Sequence, residues 1–230
     1  MVEVHTRLPP QPLPPCAYSF GEVRRAPAHG LVGRGADFRP ETIVHAYRCG
    51  VFPWPQRGEE FLWFSPDPRA IIPMDGLHIS ARLERRLRQG RFRLTVDADF
   101  ERVITECGRA REEGTWITTR LRRAYLELHE LGYAHSFEAW TADGELAGGL
   151  YGIGVAGMYG AESMFHRMTD ASKVAMVAMM AHCQRIGVQF IDIQVLSPHT
   201  ESMGAVEISR DQYLVRLESA LRQGVRWDRV

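Results

Sequence analysis

The fold is decided by the stretch AHSFEAWTADGELAGGLYGI at residues 134–153. Apolar and polar residues alternate over 134–140 and again over 145–153, a period of two that is typical of strands. Asp143-Gly144 between them is a strong signal for a tight hairpin turn. A third strand is predicted over about 157–165. These residues therefore predict an antiparallel meander.

A helix and a further strand follow the meander. Helix 172–186 has Ser172 near its start and Gly187 after its end, and it is apolar nearly all round, which predicts burial on both sides. A strand over 189–196 comes next. Strand, helix and strand in this order predict a parallel crossover, because a parallel partner needs a long connection. The fold class is therefore α/β (α+β) with a mixed sheet.

Other segments have the helical period of apolar residues. Pro40 suits the first turn of a short helix that Gly50 ends, and Asp97 is predicted to cap a later one. A strand is expected over 92–96. The predicted helices begin and end near residues 40–49, 79–89, 97–107, 118–131 and 210–223.

Composition divides the chain into three parts. Residues 1–15 contain five prolines and predict an extended, flexible tail. Residues 16–68 are rich in glycine, proline and aromatic side chains, which predicts a small, irregular N-terminal domain. Residues 69–230 carry the regular pattern and form the second domain. A length of 230 residues fits one or two domains.

Charge and motifs exclude several classes of function. With 28 Lys and Arg against 28 Asp and Glu, the net charge is zero, so a generally basic nucleic-acid binder is excluded and only a local basic patch remains. The four cysteines form no CxxC, and there is no HExxH or GxxxxGK[ST], so we expect no metal and no P-loop. No apolar run reaches the length of a membrane helix. We expect a soluble, cytoplasmic protein without a membrane partner.

Three polar residues are candidates for chemistry. Asp192 and Gln194 lie in the otherwise apolar strand FIDIQV and alternate so that both point to one face. Glu162 lies near the end of another apolar strand. Polar groups in such strands are costly unless they are paired or used. A satisfied structural hydrogen-bond network is the alternative for Asp192 and Gln194, and a helix cap or an ion pair is the alternative for Glu162.

Two further groups of residues suggest binding. Loop tryptophans such as Trp54 and Trp116 stack on unpaired bases, although they also plug joints between domains. Apolar residues around Glu162 are predicted to line a pocket, although such residues are far more often plain core. Those pocket residues are Leu150, Tyr159, Met164 and Met179.

Basic residues crowd into residues 82–93. Arg82, Arg85 and Arg86 fall on one face of the predicted helix, beside its apolar stripe. A solvated surface is the usual interpretation of such a run. In a chain without net charge, the crowding instead suggests a track for a phosphate backbone.

Several short blocks then occur in a fixed order over about residues 31–215. They are Ala46–Trp54, Trp63–Arg69, His78–Ser80, Gly114–Ile117, Tyr125–His135, Gly148–Gly152, Glu162–Phe165, Ala171–Lys173, Asp192–Gln194 with His199, and Gly204-Ala205. Each block alone is weak, but together they are specific. The sequence resembles the leucyl/phenylalanyl-tRNA–protein transferases, bacterial enzymes of the N-end rule pathway.

The resemblance implies a small N-terminal domain and a C-terminal domain of the acetyltransferase-like (GNAT) fold. It implies transfer of Leu or Phe from aminoacyl-tRNA to proteins with N-terminal Arg or Lys, which marks them for degradation, with no cofactor. In that interpretation Gln194 contacts the attacking amine and Asp192 polarises it or relays its proton. Asp192 and Glu162 also attract the acceptor's cationic side chain. Trp54 and Trp116 hold the terminal adenosine.

Two alternatives from other classes remain open. An acyl-CoA N-acetyltransferase of the same fold needs a glycine-containing pyrophosphate loop, whereas residues 167–172 contain no glycine. A non-catalytic tRNA-binding module is the second alternative. Binding of acetyl-CoA, or stoichiometric tRNA binding without transfer, distinguishes these from the transferase.

Overall fold

The computed structural model describes residues 2–4, 9–55, 61–109 and 115–228. The strands are β1 Val2–Val4, β2 Leu31–Arg34, β3 Phe52–Pro53, β4 Leu62–Phe64, β5 Arg69–Pro73, β6 Arg93–Val96, β7 Ala134–Trp140, β8 Leu146–Val155, β9 Met158–His166, β10 Phe190–Gln194 and β11 Val206–Ile208. The α-helices are α1 Pro40–Arg48, α2 Ala81–Arg88, α3 Phe100–Arg109, α4 Thr119–Glu130, α5 Ala171–Ile186, α6 Pro198–Glu201 and α7 Arg210–Leu221.

Two sheets organise the described residues. The larger has the order β1-β6-β7-β8-β9-β10-β5-β11, and the smaller has the order β2-β4-β3. Strands β6 to β9 are antiparallel, while β10 runs parallel to β9 after the α5 crossover. The predicted meander, crossover and mixed sheet are therefore confirmed.

The predicted helices are confirmed to within a few residues. Side chains of Ser80 and Thr118 cap α2 and α4 by accepting hydrogen bonds from backbone N–H groups one turn later. Helix α5 packs on β7, β8 and β9 and also contacts α2, which explains its apolar surface. Gly187 ends α5 with a φ of +89°, a left-handed conformation that glycine adopts without strain.

The predicted capping role of Asp97 is wrong. Asp99 Oδ1 instead accepts a hydrogen bond from the backbone N–H of Arg102 at the start of α3. Asp97 is buried and accepts from the Ser136 backbone N–H at 2.8 Å and contacts the His135 ring at 2.8 Å. It therefore joins the end of β6 to β7, a pairing that no local pattern indicates.

The N-terminal segments differ from their prediction. Residues 2–4 of the predicted flexible tail form β1, which pairs with β6, while residues 5–8 lie outside the described part. Gln11 is held by backbone pairing with Leu131 and by the hydroxyl of Tyr133. Strand β5 was not predicted, although it pairs with both β10 and β11 in the main sheet. Its short, Pro-flanked sequence lacks a period of two.

A buried carboxyl group lies in the middle of β7. Glu138 is fully buried, and its two oxygens accept hydrogen bonds from Ser136 Oγ and Thr95 Oγ1, each at 2.5 Å. Trp140 Nε1 donates to the same Thr95 oxygen at 2.7 Å. Burial raises the pKa of Glu138 from 4.5 to about 7, although both hydroxyl hydrogen bonds lower it. As the pH rises, the native state therefore keeps this proton to a higher pH than the unfolded chain does.

Two features are absent from the described residues. No helix among them is both long and apolar enough to cross a membrane. No group of three or more His, Cys, Asp and Glu side chains among them is placed to hold a metal ion.

We predict that Glu138→Gln flattens the pH dependence of stability. The favourable contribution of the protonated carboxyl is present below pH 4.5 and is lost as the pH rises through about 7. Relative to wild type, the free energy of unfolding of the variant should rise by at most about 3 kcal/mol across this window. Urea unfolding at several pH values measures this gain. The exposed Glu130→Gln is the control, and a Glu138→Gln profile parallel to wild type would contradict the prediction.

Candidate active site

A cavity of about 260 Å³ opens where β9 and β10 diverge. The two strands pair only as far as Asp192 opposite Gly160, and the residues that follow on each strand line the cavity. Its wall is formed by Phe52, Pro53, Trp54, Trp116, Leu150, Ala161, Glu162, Ser163, Met164, Met176, Met179, Ile193, Gln194, Val195, Ser197, His199 and Thr200.

The cavity has an aromatic wall and an aliphatic wall. The aromatic wall includes Trp54 and Trp116, both half-buried, and the Trp54 ring is set edge-on to Phe64 at 5.6 Å. The aliphatic wall includes Leu150, Met164 and Met179, as the sequence predicts, together with Met176 and Ile193. Met176 was missed, although its spacing of three from Met179 on α5 was a usable signal.

Tyr159 does not line the cavity. It is fully buried, and its hydroxyl donates a hydrogen bond to the backbone oxygen of His135 at 2.9 Å. Its ring lies 5.5 Å from Trp227 and 5.7 Å from Phe137. The predicted pocket role of Tyr159 is therefore wrong, because the ring packs within the core on one face of the sheet.

Asp192 lies behind the cavity wall in a buried ion pair. Both Asp192 and Arg69 have no exposed side-chain surface. Arg69 Nε donates to Asp192 Oδ1 at 2.9 Å and Nη2 donates to Oδ2 at 2.6 Å, a bidentate geometry. The hydroxyl of Tyr213 also donates to Oδ2, at 2.9 Å. The expectation that Asp192 attracts a cationic acceptor is wrong, because its charge is already compensated.

Arg69 also connects the ion pair to the aromatic wall. Its guanidinium carbon lies 4.7 Å from the ring centre of Phe52 and 4.4 Å from that of Tyr213. Nη1 donates to the backbone oxygen of Gly50 at 3.3 Å. Since Phe52 lines the cavity, Arg69 fixes β3 relative to β10. Sequence analysis did not single out Arg69, because nothing local distinguishes it from other arginines.

The backbone at Gln194 sets the direction of its side chain. Gln194 has a φ of +62°, in the left-handed region, and the register against β5 shifts between Asp192 and Gln194. This conformation costs about 1–2 kcal/mol in a residue with a side chain. The Gln194 backbone N–H donates to Asp192 Oδ1 at 3.0 Å, which stabilises it. The ion pair and this bulge together point the amide into the cavity.

The orientation of the Gln194 amide follows from its neighbours. One end of the amide lies 3.1 Å from the backbone oxygen of Ala161 and 2.9 Å from that of Ile193. Two carbonyl oxygens repel an amide oxygen and accept from an amide N–H, so Nε2 occupies this end. Oε1 then faces Glu162, where the two side chains approach to 3.3 Å.

Glu162 is the carboxyl group that lines the cavity. Its Oε1 accepts a short hydrogen bond from the hydroxyl of Tyr47, which in turn lies 3.1 Å from the hydroxyl of Tyr125. Burial raises the pKa of Glu162 from 4.5, the Tyr47 hydrogen bond lowers it and the nearby Asp192 charge raises it, with a net value of about 8. At neutral pH a protonated Glu162 therefore donates to the Gln194 oxygen.

The three candidate arginines lie on α2. Arg82 and Arg85 are exposed and Arg86 is half-buried, so cationic groups are available on this face. The Nε atoms of Arg82 and Arg86 each lie 3.5 Å from Asp170 Oδ2, just before α5. The structure therefore places α2 beside the start of the helix that forms one cavity wall.

The chain is similar in sequence to proteins of one known family. The model of the leucyl/phenylalanyl-tRNA protein transferase family matches residues 71–218, and the model of that family's N-terminal domain matches residues 36–67. A leucyl/phenylalanyl-tRNA–protein transferase of Alkalilimnicola ehrlichii is 46% identical over 215 residues, which are 93% of this chain and 81% of that protein. The one of Magnetococcus marinus is 42% identical over 212 residues, 90% of each.

A solved structure, that of L-PGS from Bacillus licheniformis, aligns with 67% of this chain and 64% of its own at 15% identity. Its TM-score is 0.43, which is too low to support an argument about fold.

With its helices and mixed sheet, the chain is a mixed α/β protein. Its partly apolar cavity lies between two strands that diverge. The matched models cover most of the chain, and the relatives match over nearly its whole length. The chain belongs to the leucyl/phenylalanyl-tRNA protein transferase family.

We predict that Arg69→Met destabilises the protein strongly. The substitution leaves the buried Asp192 carboxylate without its cation, which costs about 3–5 kcal/mol of unfolding free energy. Chemical denaturation measures the loss. Arg216→Met, on the exposed face of α7, is the matched control and should change stability by less than about 0.5 kcal/mol. Equal effects of the two substitutions would contradict a structural role for the ion pair.

Proposed function

We propose that this chain transfers Leu or Phe from aminoacyl-tRNA to the α-amino group of proteins that begin with Arg or Lys. The observation that carries the proposal is the single cavity in which two tryptophans, an aliphatic wall and the Gln194–Glu162 pair meet. Each part fits one part of the reactants. The family relationship supports the same activity.

The walls of the cavity fit the aminoacyl-adenosine end of a charged tRNA. Trp54 and Trp116 offer partly exposed rings on which an unpaired adenine stacks. Leu150, Met164 and Met179 offer flexible, apolar side chains that suit Leu or Phe. Exclusion of Val and Ile has to come from the shape of this wall, because one methyl group supplies only about 1–3 kcal/mol of discrimination.

Gln194 orients the attacking amine in this proposal. The α-amine adds to the ester carbonyl, the C–N bond forms, and the C–O bond to the ribose breaks. With Nε2 donating to Ala161 and Ile193, Oε1 faces Glu162 and has a second lone pair that accepts a hydrogen bond from the amine. An amide oxygen is too weak a base to keep the proton, which leaves finally on the ribose oxygen. Alignment of amine and ester supplies most of the acceleration.

The two acidic residues have different parts in this proposal. Asp192 is a positioning residue, since its oxygens already accept from Arg69, Tyr213 and the Gln194 backbone and it does not touch the cavity. Glu162 lies in the cavity and has a pKa of about 8, near that of an α-amine. It is the group suited to exchange a proton with the amine, and in its ionised form it pairs with the acceptor's cationic side chain.

Three further features belong to the proposal. Arg82, Arg85 and Arg86 bind the tRNA backbone without reading sequence, which their position on α2 supports. Residues 69–230 form a GNAT-like domain, which the meander followed by a parallel crossover supports, and residues 16–68 form a small N-terminal domain around β2, β3 and β4. A tRNA substrate places the protein in the cytoplasm, where it tags N-end rule substrates for degradation.

Assay of the purified chain with radiolabelled Leu-tRNA and Phe-tRNA tests the function. Peptides that differ only in their first residue serve as acceptors, and we expect transfer to those that begin with Arg or Lys and none to an Nα-acetylated Arg peptide. Stoichiometric tRNA binding without transfer would instead indicate a binding module. Acetyl transfer from acetyl-CoA would indicate the acetyltransferase.

We predict that Gln194→Glu lowers kcat by about 100-fold, as loss of an oriented polar group in an active site does. A carboxylate has no N–H for the oxygens of Ala161 and Ile193, so the side chain turns away from its productive orientation. KM for aminoacyl-tRNA should change little, and steady-state kinetics separate the two. Gln189→Glu, exposed just before β10, is the control. A Gln194→Glu enzyme with wild-type kcat would refute the assigned orientation.

A further inference from the structure

Two polar atoms of the cavity wall have no role in the proposed chemistry. His199 Nε2 and Ser163 Oγ are buried, line the cavity, and have no hydrogen-bond partner among the described residues. A buried polar atom without a partner costs about 1–3 kcal/mol. Such atoms at the wall of a cavity indicate a ligand that supplies the missing partner.

Lys173 lies near this wall and is unusual in the sequence. It is the single lysine among the 28 Lys and Arg residues of the chain. It is half-buried in the first turn of α5, and no carboxylate within the described ranges forms an ion pair with it. An ammonium is a compact point charge, whereas a guanidinium is a broad, planar fork. A lysine in a chain that otherwise uses only arginine therefore favours a confined site for one anionic oxygen.

The charges around His199 select the sign of the ligand. Burial lowers the pKa of His199 below its ordinary value, and the nearby Lys173 and His166 groups lower it further. The imidazole is thus neutral at pH 7 and able to donate one hydrogen bond from Nε2. Lys173 repels a cationic acceptor from this wall and attracts an anion. The acceptor therefore suits the part of the lining formed by Glu162.

Further cationic groups lie on α2. Asp170, which lies directly before α5, is 3.5 Å from the Nε atoms of both Arg82 and Arg86, and Lys173 follows three residues later in the first turn of α5. The start of α5 therefore connects Lys173, which acts on His199, to the helix that carries these arginines. Cationic side chains on both helices favour an anionic nucleic-acid backbone.

We infer that His199 and Lys173 bind the phosphate that joins the terminal adenosine of the tRNA to the preceding nucleotide. His199 Nε2 donates a hydrogen bond to one phosphate oxygen, and the Lys173 ammonium pairs with the charge. The inference rests on the proposed function and deepens it. It assigns His199 and Lys173 to the nucleic-acid carrier and Glu162 to the acceptor amine.

The test compares two stable ligands that differ only in the phosphate. Both are amide analogues of phenylalanyl-adenosine, one with a free 5′-hydroxyl and one with a 5′-phosphate. Calorimetric titration of the wild-type chain should show about tenfold tighter binding of the phosphorylated compound. In His199→Ala and in Lys173→Met this gain should fall to about twofold or less, while binding of the 5′-hydroxyl compound stays as in wild type.

The 5′-hydroxyl compound also shows that each variant is folded and keeps its cavity. Arg185→Met, which removes an exposed cation from the last turn of α5, is the control for general electrostatics and should keep the full gain. An undiminished gain in both His199→Ala and Lys173→Met would overturn the inference. Equal weakening of both compounds would also overturn it, since that indicates only packing. A wild-type chain that binds neither compound would overturn the proposed function, and the inference with it.

Discussion

The ion pair between Arg69 and Asp192 is the interaction on which the cavity depends. It joins β5, which comes from the first third of the chain, to β10 in the centre of the sheet. The same arginine holds Phe52 and Gly50 beside the cavity, and the same carboxylate holds the strained backbone of Gln194. A charge pair with no exposed surface tolerates little displacement, because either ion alone in the core is costly. Rigidity at the site follows from that cost.

The cavity itself is a consequence of sheet geometry. Strands β9 and β10 part after Asp192 and Gly160, and the backbone groups that lose their ladder partners need others. The Gln194 side chain supplies a donor to Ala161 and Ile193, one on each side of the gap. One residue thus satisfies the broken ladder and presents a polar group to the cavity. Glu162 lies beside Gln194, and burial in this gap raises the pKa of its carboxyl group.

Polarity is distributed unevenly around this gap. A carboxyl group and an amide line it at Glu162 and Gln194, and a neutral imidazole lines it at His199, whose pKa burial and the nearby Lys173 charge lower. Tryptophans and aliphatic side chains complete the lining. The cavity thus combines apolar walls with a few polar groups, an arrangement typical of small-molecule binding sites.

Local patterns in the sequence were sufficient for most of the regular structure. The meander and the crossover were predicted from the period of two over 134–153, the Asp143-Gly144 turn and the apolar α5 segment. The conformation of such segments depends mainly on residues that are close in sequence. Leu150, Met164 and Met179, which the sequence predicted around Glu162, line the same cavity as Glu162. Tyr159 does not, because a sequence pattern gives the face of a strand but not which part of that face borders a cavity.

The sequence by itself determined the meander, the crossover that makes the sheet mixed, and the family, because these depend on periodicity, turn residues and short motifs read along the chain. Only the tertiary structure decided that β5 inserts next to β10, that Arg69 neutralises Asp192, and that Asp97 caps nothing but joins two strands. These are contacts between residues far apart in sequence. They are fixed by the cost of burying a charge or a polar group without a partner, and that cost is known only when the partners are in place.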